Sequence, residues 1–343
     1  MNIYRSGWIL LCLCRALGAG AQGTGQNPSV RSDAAQAGRS APASFSVVPL
    51  GVKGGLDESN LSSYMVAAAG SNEYICLDAG TLYAGIRKAV DSGVFMTSVS
   101  HVLKDSIKAY FISHPHLDHV AGLIMNSPED NAKTIYGLSF CLDVLKEKYF
   151  TWESWANFGD EGEKPQLKKY HYSTLWPGEE IAVPNTHLYV QAFPLSHGTP
   201  YQSTAFLVRT GDVLVQKNDA YLLYLGDTGA DTIEHSDKLH RLWEEISPLV
   251  KAGKLKAVLI EVSFPNEQPE KLLFGHLTPA LLQKELADLA KTAGGMSLSE
   301  LPVVITHRKP SGDQEMMIQK ELQADSNLRV KLIFPRQAVR LYF

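Results

Sequence analysis

Cysteine is scarce in this chain, with four residues in 343. Two of them, Cys12 and Cys14, fall in an apolar N-terminal stretch. That leaves Cys76 in a strand-like run, EYICLDAG, and Cys141 in a helix-like one. One pair cannot build a disulfide scaffold, and neither residue has the spacing of a zinc-thiolate site. Both are expected as buried free thiols. Long apolar runs are also missing: Trp8–Leu17 is short and interrupted by Arg15, and a membrane-spanning helix needs about 20 residues. There is no excess of basic charge either. The formal net charge is −4, and removing residues 1–21 would take Arg5 and Arg15 away as well. Holding a long polyanion rests on Lys and Arg contacts to phosphates, so a nucleic-acid polymer is not the expected partner.

What is present is enough for a large core. The chain is 45% hydrophobic and 20% charged, compatible with one undivided α/β or α+β domain. The N-terminus has the order of an export signal: Arg5, the apolar stretch Trp8–Leu17, then Ala19-Gly20-Ala21 as a small-residue cleavage site. Residues 1–21 are therefore expected to be a signal peptide, and a periplasmic or secreted location follows. Residues 22–43, rich in Gly, Ser, Ala and Gln, are expected to be an unstructured linker.

From residue 45 onward the pattern predicts a β-meander over 45–50, 62–69 and 72–78, then a helix over 82–91. Helices are expected over 118–126, 140–149, 237–251, 279–291 and 314–323, and strands over 188–193, 203–208, 221–225, 257–262, 303–306, 331–334 and 338–343. Residues 151–177 carry Trp152, Trp155, Phe158, Tyr170, Tyr172 and Trp176 among charges, with little periodicity. They are expected to form an insertion over a rim, held down by an aromatic minicore.

The most informative segment is His114-Pro-His116-Leu-Asp118-His119, placed between the apolar run Lys108–Ser113 and a helix-like run from Val120. Imidazole is a good donor to borderline metals, and a carboxylate adds the negative charge that divalent cations require. His114 and His116, one residue apart in an extended loop, point the same way and can hold one ion. Asp118 and His119, past the bend, can face a second. Three more candidates close other apolar strands: His197 after LYVQAFPLS, Asp227 in YLLYLGDTG and His307 in PVVITHRKP. Ligands at the same end of several strands converge on one rim of a sheet. His101, His171, His187, His235 and His240 lack such settings and are expected as surface or packing residues.

The His-x-His-x-Asp-His core resembles that of the metallo-β-lactamase-type hydrolases. The longer string HPHLDHVAGLIMNSP resembles the signature of the class II 3',5'-cyclic-nucleotide phosphodiesterases of yeast, slime mould and some bacteria. FGHLTP and ITHRKP resemble later motifs of that family, and the resemblance spans residues 45–343. It implies a four-layer αββα sandwich formed by one domain over 44–343. It also implies two divalent ions, zinc best suited and manganese or iron possible occupants, and a small cyclic nucleotide (cAMP, with cGMP as a second substrate) as the partner.

On that reading His114, His116 and His197 hold one ion, Asp118, His119 and His307 hold the other, and Asp227 bridges them. A hydroxide between the ions would be the nucleophile. Asp118 and His276 are the candidate catalytic residues. His276 lies in Gly275-His276-Leu277-Thr278-Pro279, a His-x-Thr setting where related enzymes place a proton-donating histidine. Glu261 could orient His276 or a ligand histidine, or simply cap its loop. Asp78, in the LDAG turn, is expected to shape the backbone under the metal loop. The alternatives are another hydrolase of this fold, such as an RNA-processing nuclease or a β-lactamase-like amidase, and a non-catalytic metal- or nucleotide-binding protein.

Overall fold

Two seven-stranded sheets lie face to face in the computed structural model, which describes residues 43–212, 215–295, 298–324 and 330–343. The expected signal peptide, and all of the expected linker but Ala43, lie outside the described residues. The first sheet is built from β1 (Phe45–Gly51), β2 (Ser63–Ala68), β3 (Tyr74–Leu77), β4 (Ile107–Phe111), β5 (Lys133–Gly137), β6 (Tyr170–Thr174) and β14 (Leu341–Tyr342). The second holds β7 (Glu180–Ala182), β8 (Leu188–Ser196), β9 (Gln202–Asp212), β10 (Val215–Leu225), β11 (Leu255–Glu261), β12 (Pro302–Thr306) and β13 (Lys331–Ile333).

The helices are α1 (Tyr83–Asp91), α2 (Val99–His101), α3 (Leu117–Asn126), α4 (Ser139–Val144), α5 (Asp231–Glu234), α6 (Lys238–Lys251), α7 (Pro279–Thr292) and α8 (Gln314–Ala324). Among the described residues, no helix is long and apolar enough to cross a membrane.

Both halves follow one path. Strands β1–β2–β3 pair antiparallel and then β3–β4–β5–β6 pair parallel. Strands β8–β9–β10 and β10–β11–β12–β13 repeat that pattern. Phe111, Phe206, Leu222, Tyr224 and Leu259 lie in an apolar cluster shared by the two sheets. Helices cover the outer faces, α1, α3 and α4 on the first sheet and α6, α7 and α8 on the second. The result is the expected four-layer α/β/β/α sandwich. Strands covered on both faces read as continuous apolar runs rather than alternating ones, as β1 does with all seven residues buried.

Local chemistry sets the helix bounds. In α6, Leu239, Leu242, Trp243 and Ile246 recur at spacings of three and four and bury one face. Thr278 caps α7 by accepting from the Leu281 N–H (3.4 Å), with Pro279 at the first turn. The helix expected over 140–149 is instead α4 followed by a π-turn, Leu145–Tyr149. That turn carries Tyr149, whose hydroxyl donates to the Pro115 carbonyl at 2.9 Å.

The segment 151–177 is more than an insertion, because Tyr170–Thr174 within it is the edge strand β6, parallel to β5. The strand signal Tyr170-His171-Tyr172 is too brief to stand out in an aromatic-rich stretch. Tyr170 packs with Phe150 and Tyr110, and Phe158 packs on Phe150. The Tyr110 and Tyr170 hydroxyls donate to Asp130 at 2.7 and 3.0 Å, and Asp130 also pairs with the buried Lys133. Truncation there leaves an ammonium and two hydroxyls without their acceptor. Asp130→Ala is therefore expected to cost about 3–5 kcal/mol of stability, visible as an earlier unfolding transition in denaturant. A loss below about 1 kcal/mol would show that the network is dispensable.

Candidate metal centre

Apart from His276, which lies just before α7, the chemistry-bearing side chains of the centre stand at the carboxyl ends of strands, the usual place for a site in an open α/β sheet. Asp78 follows β3, and the His114–His119 loop follows β4. His197 follows β8 and Asp227 follows β10. Glu261 ends β11, and His307 follows β12. Because α3 begins at Leu117, Asp118 and His119 sit on its first turn.

The structure brings all seven sequence-predicted ligands together around Asp227, which is 2% exposed. Asp227 Oδ2 lies 3.1 Å from His307 Nε2, 3.2 Å from His119 Nε2, 3.7 Å from His114 Nε2 and 3.9 Å from His197 Nε2. His307 Nε2 is also 3.1 Å from Asp118 Oδ2, and His197 Nε2 is 3.3 Å from His116 Nδ1.

The outer nitrogens explain why these rings point inward. His119 Nδ1 lies 2.7 Å from Asp78 Oδ2, and His197 Nδ1 lies 2.8 Å from the Gly275 carbonyl. Both acceptors lack protons, so Nδ1–H is the donor in each case and Nε2 is turned toward Asp227. His114 and His307 reach their carboxylates through serine. Ser113 Oγ donates to Asp78 Oδ2 (2.7 Å), and Ser263 Oγ donates to Glu261. A hydroxyl has one proton to give, so each serine accepts from the next imidazole. His114 Nδ1–H donates to Ser113 Oγ at 3.0 Å and His307 Nδ1–H donates to Ser263 Oγ at 2.9 Å. Asp78 also accepts from the Ser113 N–H (2.7 Å) and the Tyr224 hydroxyl (2.5 Å). It therefore shapes the loop, as expected, and orients His119 as well.

Charge follows the same geometry. Burial holds His114 well below the ordinary imidazole range, brings His197 down to about 4 and lowers His116 too. Burial also opposes charge on His119, but Asp227 and Asp78 outweigh it and raise its pKa well above the usual value. The two acids are penalised by burial, yet Asp118 is held low by the His307 hydrogen bond and by His119, and Asp227 by His119 and His307. Three neutral imidazoles and two ionised carboxylates are the protonation states that cation binding needs, and a cation entering would release the proton on His119.

The donor set fits metal. His114 Nε2, His119 Nε2 and Asp227 Oδ1 are buried without a hydrogen-bond partner, and orphaned groups of this kind cost about 1–3 kcal/mol each. Ligand atoms of His114, His116 and His197 lie within 4.8 Å of one another, and those of Asp118, His119 and His307 do likewise. Two such triads flanking a shared carboxylate match a dinuclear site. His276 also falls within that reach of His197 and Asp227. Its Nδ1, however, is committed to Glu261 Oε1 at 2.7 Å. Burial opposes a proton on His276, but Glu261 and then Asp227 prevail and raise its pKa.

Sequence reading missed Ser113, Ser263 and the Gly54-Gly55 pair. The Gly55 N–H donates to Asp118 Oδ2 at 2.9 Å. Gly54 lies against the His307 ring, where an added Cβ would fall 2.2 Å from the imidazole.

Comparison with known proteins gives the family and the fold. The family model for class-II cAMP phosphodiesterases matches residues 45–337. A 3',5'-cyclic-nucleotide phosphodiesterase of Aliivibrio fischeri is 43% identical over 331 residues, covering 92% of this chain and 96% of that protein. Among solved structures, unliganded yeast PDE1 superposes with a TM-score of 0.76 at 22% identity, over 88% of this chain and 100% of that one. The metallo-beta-lactamase fold protein YhfI from Bacillus subtilis gives 0.57 at 16% identity, over 87% and 99%. The two structures establish the metallo-β-lactamase fold. With the sequence match covering nearly all of the described domain, the chain belongs to the class-II cAMP phosphodiesterase family.

Proposed function

We propose that this protein hydrolyses 3',5'-cyclic nucleotides, cAMP and also cGMP, to nucleoside 5'-monophosphates at a dinuclear metal centre. The observation carrying this is the gathering of six ligand-type side chains around Asp227 in a chain of this family. His114, His116 and His197 would hold one cation and Asp118, His119 and His307 the other, with Asp227 shared. Imidazole-rich donors with a shared carboxylate suit zinc best, with manganese or iron as substitutes. Bound there, two divalent cations supply a water of much lowered pKa and a Lewis acid for the phosphoryl oxygens.

The chain's own groups do the rest. Asp118, fixed by the Gly55 N–H, can accept a hydrogen bond from the attacking water and so orient it in line with the 3'-oxygen. Breaking the phosphorus–O3' bond leaves an alkoxide, which needs a proton. His276 supplies it: Nδ1–H is held by Glu261, so Nε2 carries the transferable proton. The net result is addition of water across that bond, giving a 3'-hydroxyl and a 5'-phosphate.

The test is turnover by metal-loaded protein of cAMP, cGMP, an RNA and a β-lactam. Hydrolysis of the cyclic nucleotides to 5'-monophosphates is expected. Cleavage of RNA or lactam without it would overturn the reading, as would two bound ions with no phosphoester hydrolysis. We further propose a periplasmic or secreted location, supported by Arg5, the Trp8–Leu17 stretch and Ala19-Gly20-Ala21. Cell fractionation tests it, and full-length protein in the cytoplasm would refute it.

Ser263 offers a sharper test of the ligand assignment. Without its hydroxyl, His307 Nδ1 loses the acceptor that fixes its tautomer. Ser263→Ala is expected to weaken binding of one of the two ions by roughly 10–100-fold, read by competition with a chelator. Unchanged affinity for both ions would remove His307 from the ligand set.

A further inference from the structure

Large apolar side chains stand exposed around the mouth of this centre. Tyr201 is 59% exposed, with its ring edge-on to His116 at 4.8 Å between centroids. Phe274 is 66% exposed and immediately precedes Gly275, whose carbonyl holds His197. Leu117, between His116 and Asp118, and Leu56, beside the Gly55 that holds Asp118, are exposed as well. Isolated apolar residues on a surface need no explanation. These four adjoin the centre through its own ligand loops. Phe274 and Leu56 are also held at φ of +51° and +47°, a strained region for such side chains that clusters at ligand clamps.

Tyr201 and Phe274 belong to abutting turns. The Tyr201 N–H donates to the Gly198 carbonyl (2.9 Å), and a Cβ on Gly198 would fall 3.1 Å from the Phe274 carbonyl carbon. We propose that Tyr201 and Phe274 form the base subsite, two aromatic faces on which the purine of a 3',5'-cyclic nucleotide stacks. This rests on the reading of the centre as a cyclic-nucleotide phosphodiesterase.

In that substrate the phosphate is closed onto the ribose, so the base stays close to the phosphorus and its partners must lie at the mouth. Trp155 does not meet that requirement. The Trp155 indole donates to Ser127 Oγ (3.1 Å), beyond the far end of α3, a 10-residue helix. At 1.5 Å per residue, that is roughly 15 Å from the loop that starts the helix. The Trp152 indole donates to the Pro165 carbonyl at 2.8 Å. Stacking tolerates any base, since each presents a π face, so one subsite serves adenine and guanine alike.

The test uses metal-loaded enzyme and two competitive ligands, 5'-AMP and ribose 5-phosphate, which differ only in the base. Wild type is expected to bind 5'-AMP about tenfold more tightly, and Tyr201→Ala or Phe274→Ala to remove most of that advantage. Both variants should keep ribose 5-phosphate affinity within about twofold and raise KM for cAMP with little change in kcat. Tyr201→Phe retains the stack and should behave as wild type. Tyr342→Ala, at an exposed aromatic beside the amino ends of β11 and β12, should change neither affinity. The proposal is overturned if wild type binds the two ligands equally, or if the alanine variants leave 5'-AMP affinity intact. Equal loss of both ligands also overturns it, since that marks damage to the centre rather than a missing stack. Failure of wild type to hydrolyse any cyclic nucleotide is a separate result. It removes the functional reading, while the paired ligands still decide whether a base is bound here.

Discussion

Asp227→Ala is expected to abolish turnover and to prevent both metals from being held at once. Among the described residues, no other carboxylate approaches so many of the imidazoles. Asp227 Oδ2 lies within 4 Å of a nitrogen on His114, His119, His197, His276 and His307. Its second oxygen is buried with no partner. With Asp227 gone, each triad could still bind an ion weakly, because three protein ligands suffice for zinc. The negative charge that lets two cations sit side by side would be missing. Paired cations lower the pKa of water from ~16 towards ~7, so losing the pair should reduce kcat by roughly 10³-fold or more. Metal analysis at limiting zinc should then find about one ion per chain, or fewer, where wild type holds two. Asp227→Asn is the stricter version: it keeps the shape and removes only the charge, and should fail similarly. Two ions retained, with turnover within about tenfold of wild type, would mean that Asp227 bridges nothing.

Much of this centre was legible in the sequence because its ligands obey a local rule. Asp227 and His307 each stand within three residues of the end of an apolar strand, as do His197 and the start of the His114–His119 loop. The supporting groups obey no such rule. Ser113 meets Asp78 across 35 residues, and Ser263 meets His307 across 44. Each pairing exists only because neighbouring parallel strands of one sheet lie side by side, β3 with β4 and β11 with β12. A serine two residues past β4 or β11 carries no signal until the parallel pairing places a carboxylate and an imidazole on either side of it. Gly54 is similar, since its need for a missing side chain comes from His307, far along the chain. The aromatic-rich stretch hid a strand instead: Tyr170 and Tyr172 are core residues of β6, while the exposed aromatics at the mouth are single residues in short turns.

His276→Ala should leave both metals bound and lower kcat on cAMP by about 10²–10⁴-fold, the usual contribution of a positioned general acid. The argument turns on which bond needs a proton. Leaving O3' of ribose is an alkoxide, strongly basic, and cannot depart unprotonated at neutral pH. The 4-nitrophenolate released from bis(4-nitrophenyl) phosphate is weakly basic and needs no donor. If His276 acts by protonating the leaving group, the variant should retain nitrophenyl ester hydrolysis within about tenfold while failing on cAMP. A positional role for the ring predicts otherwise. It stacks on His307 at 5.2 Å and meets His197 edge-on at 4.9 Å, so a wedge holding two ligands would, once removed, impair both substrates alike and loosen the metals. Equal losses with reduced metal content would assign His276 to the scaffold of the centre. Unequal losses with full metal content would leave proton transfer, with Glu261 fixing the ring through Nδ1, as the role consistent with both measurements.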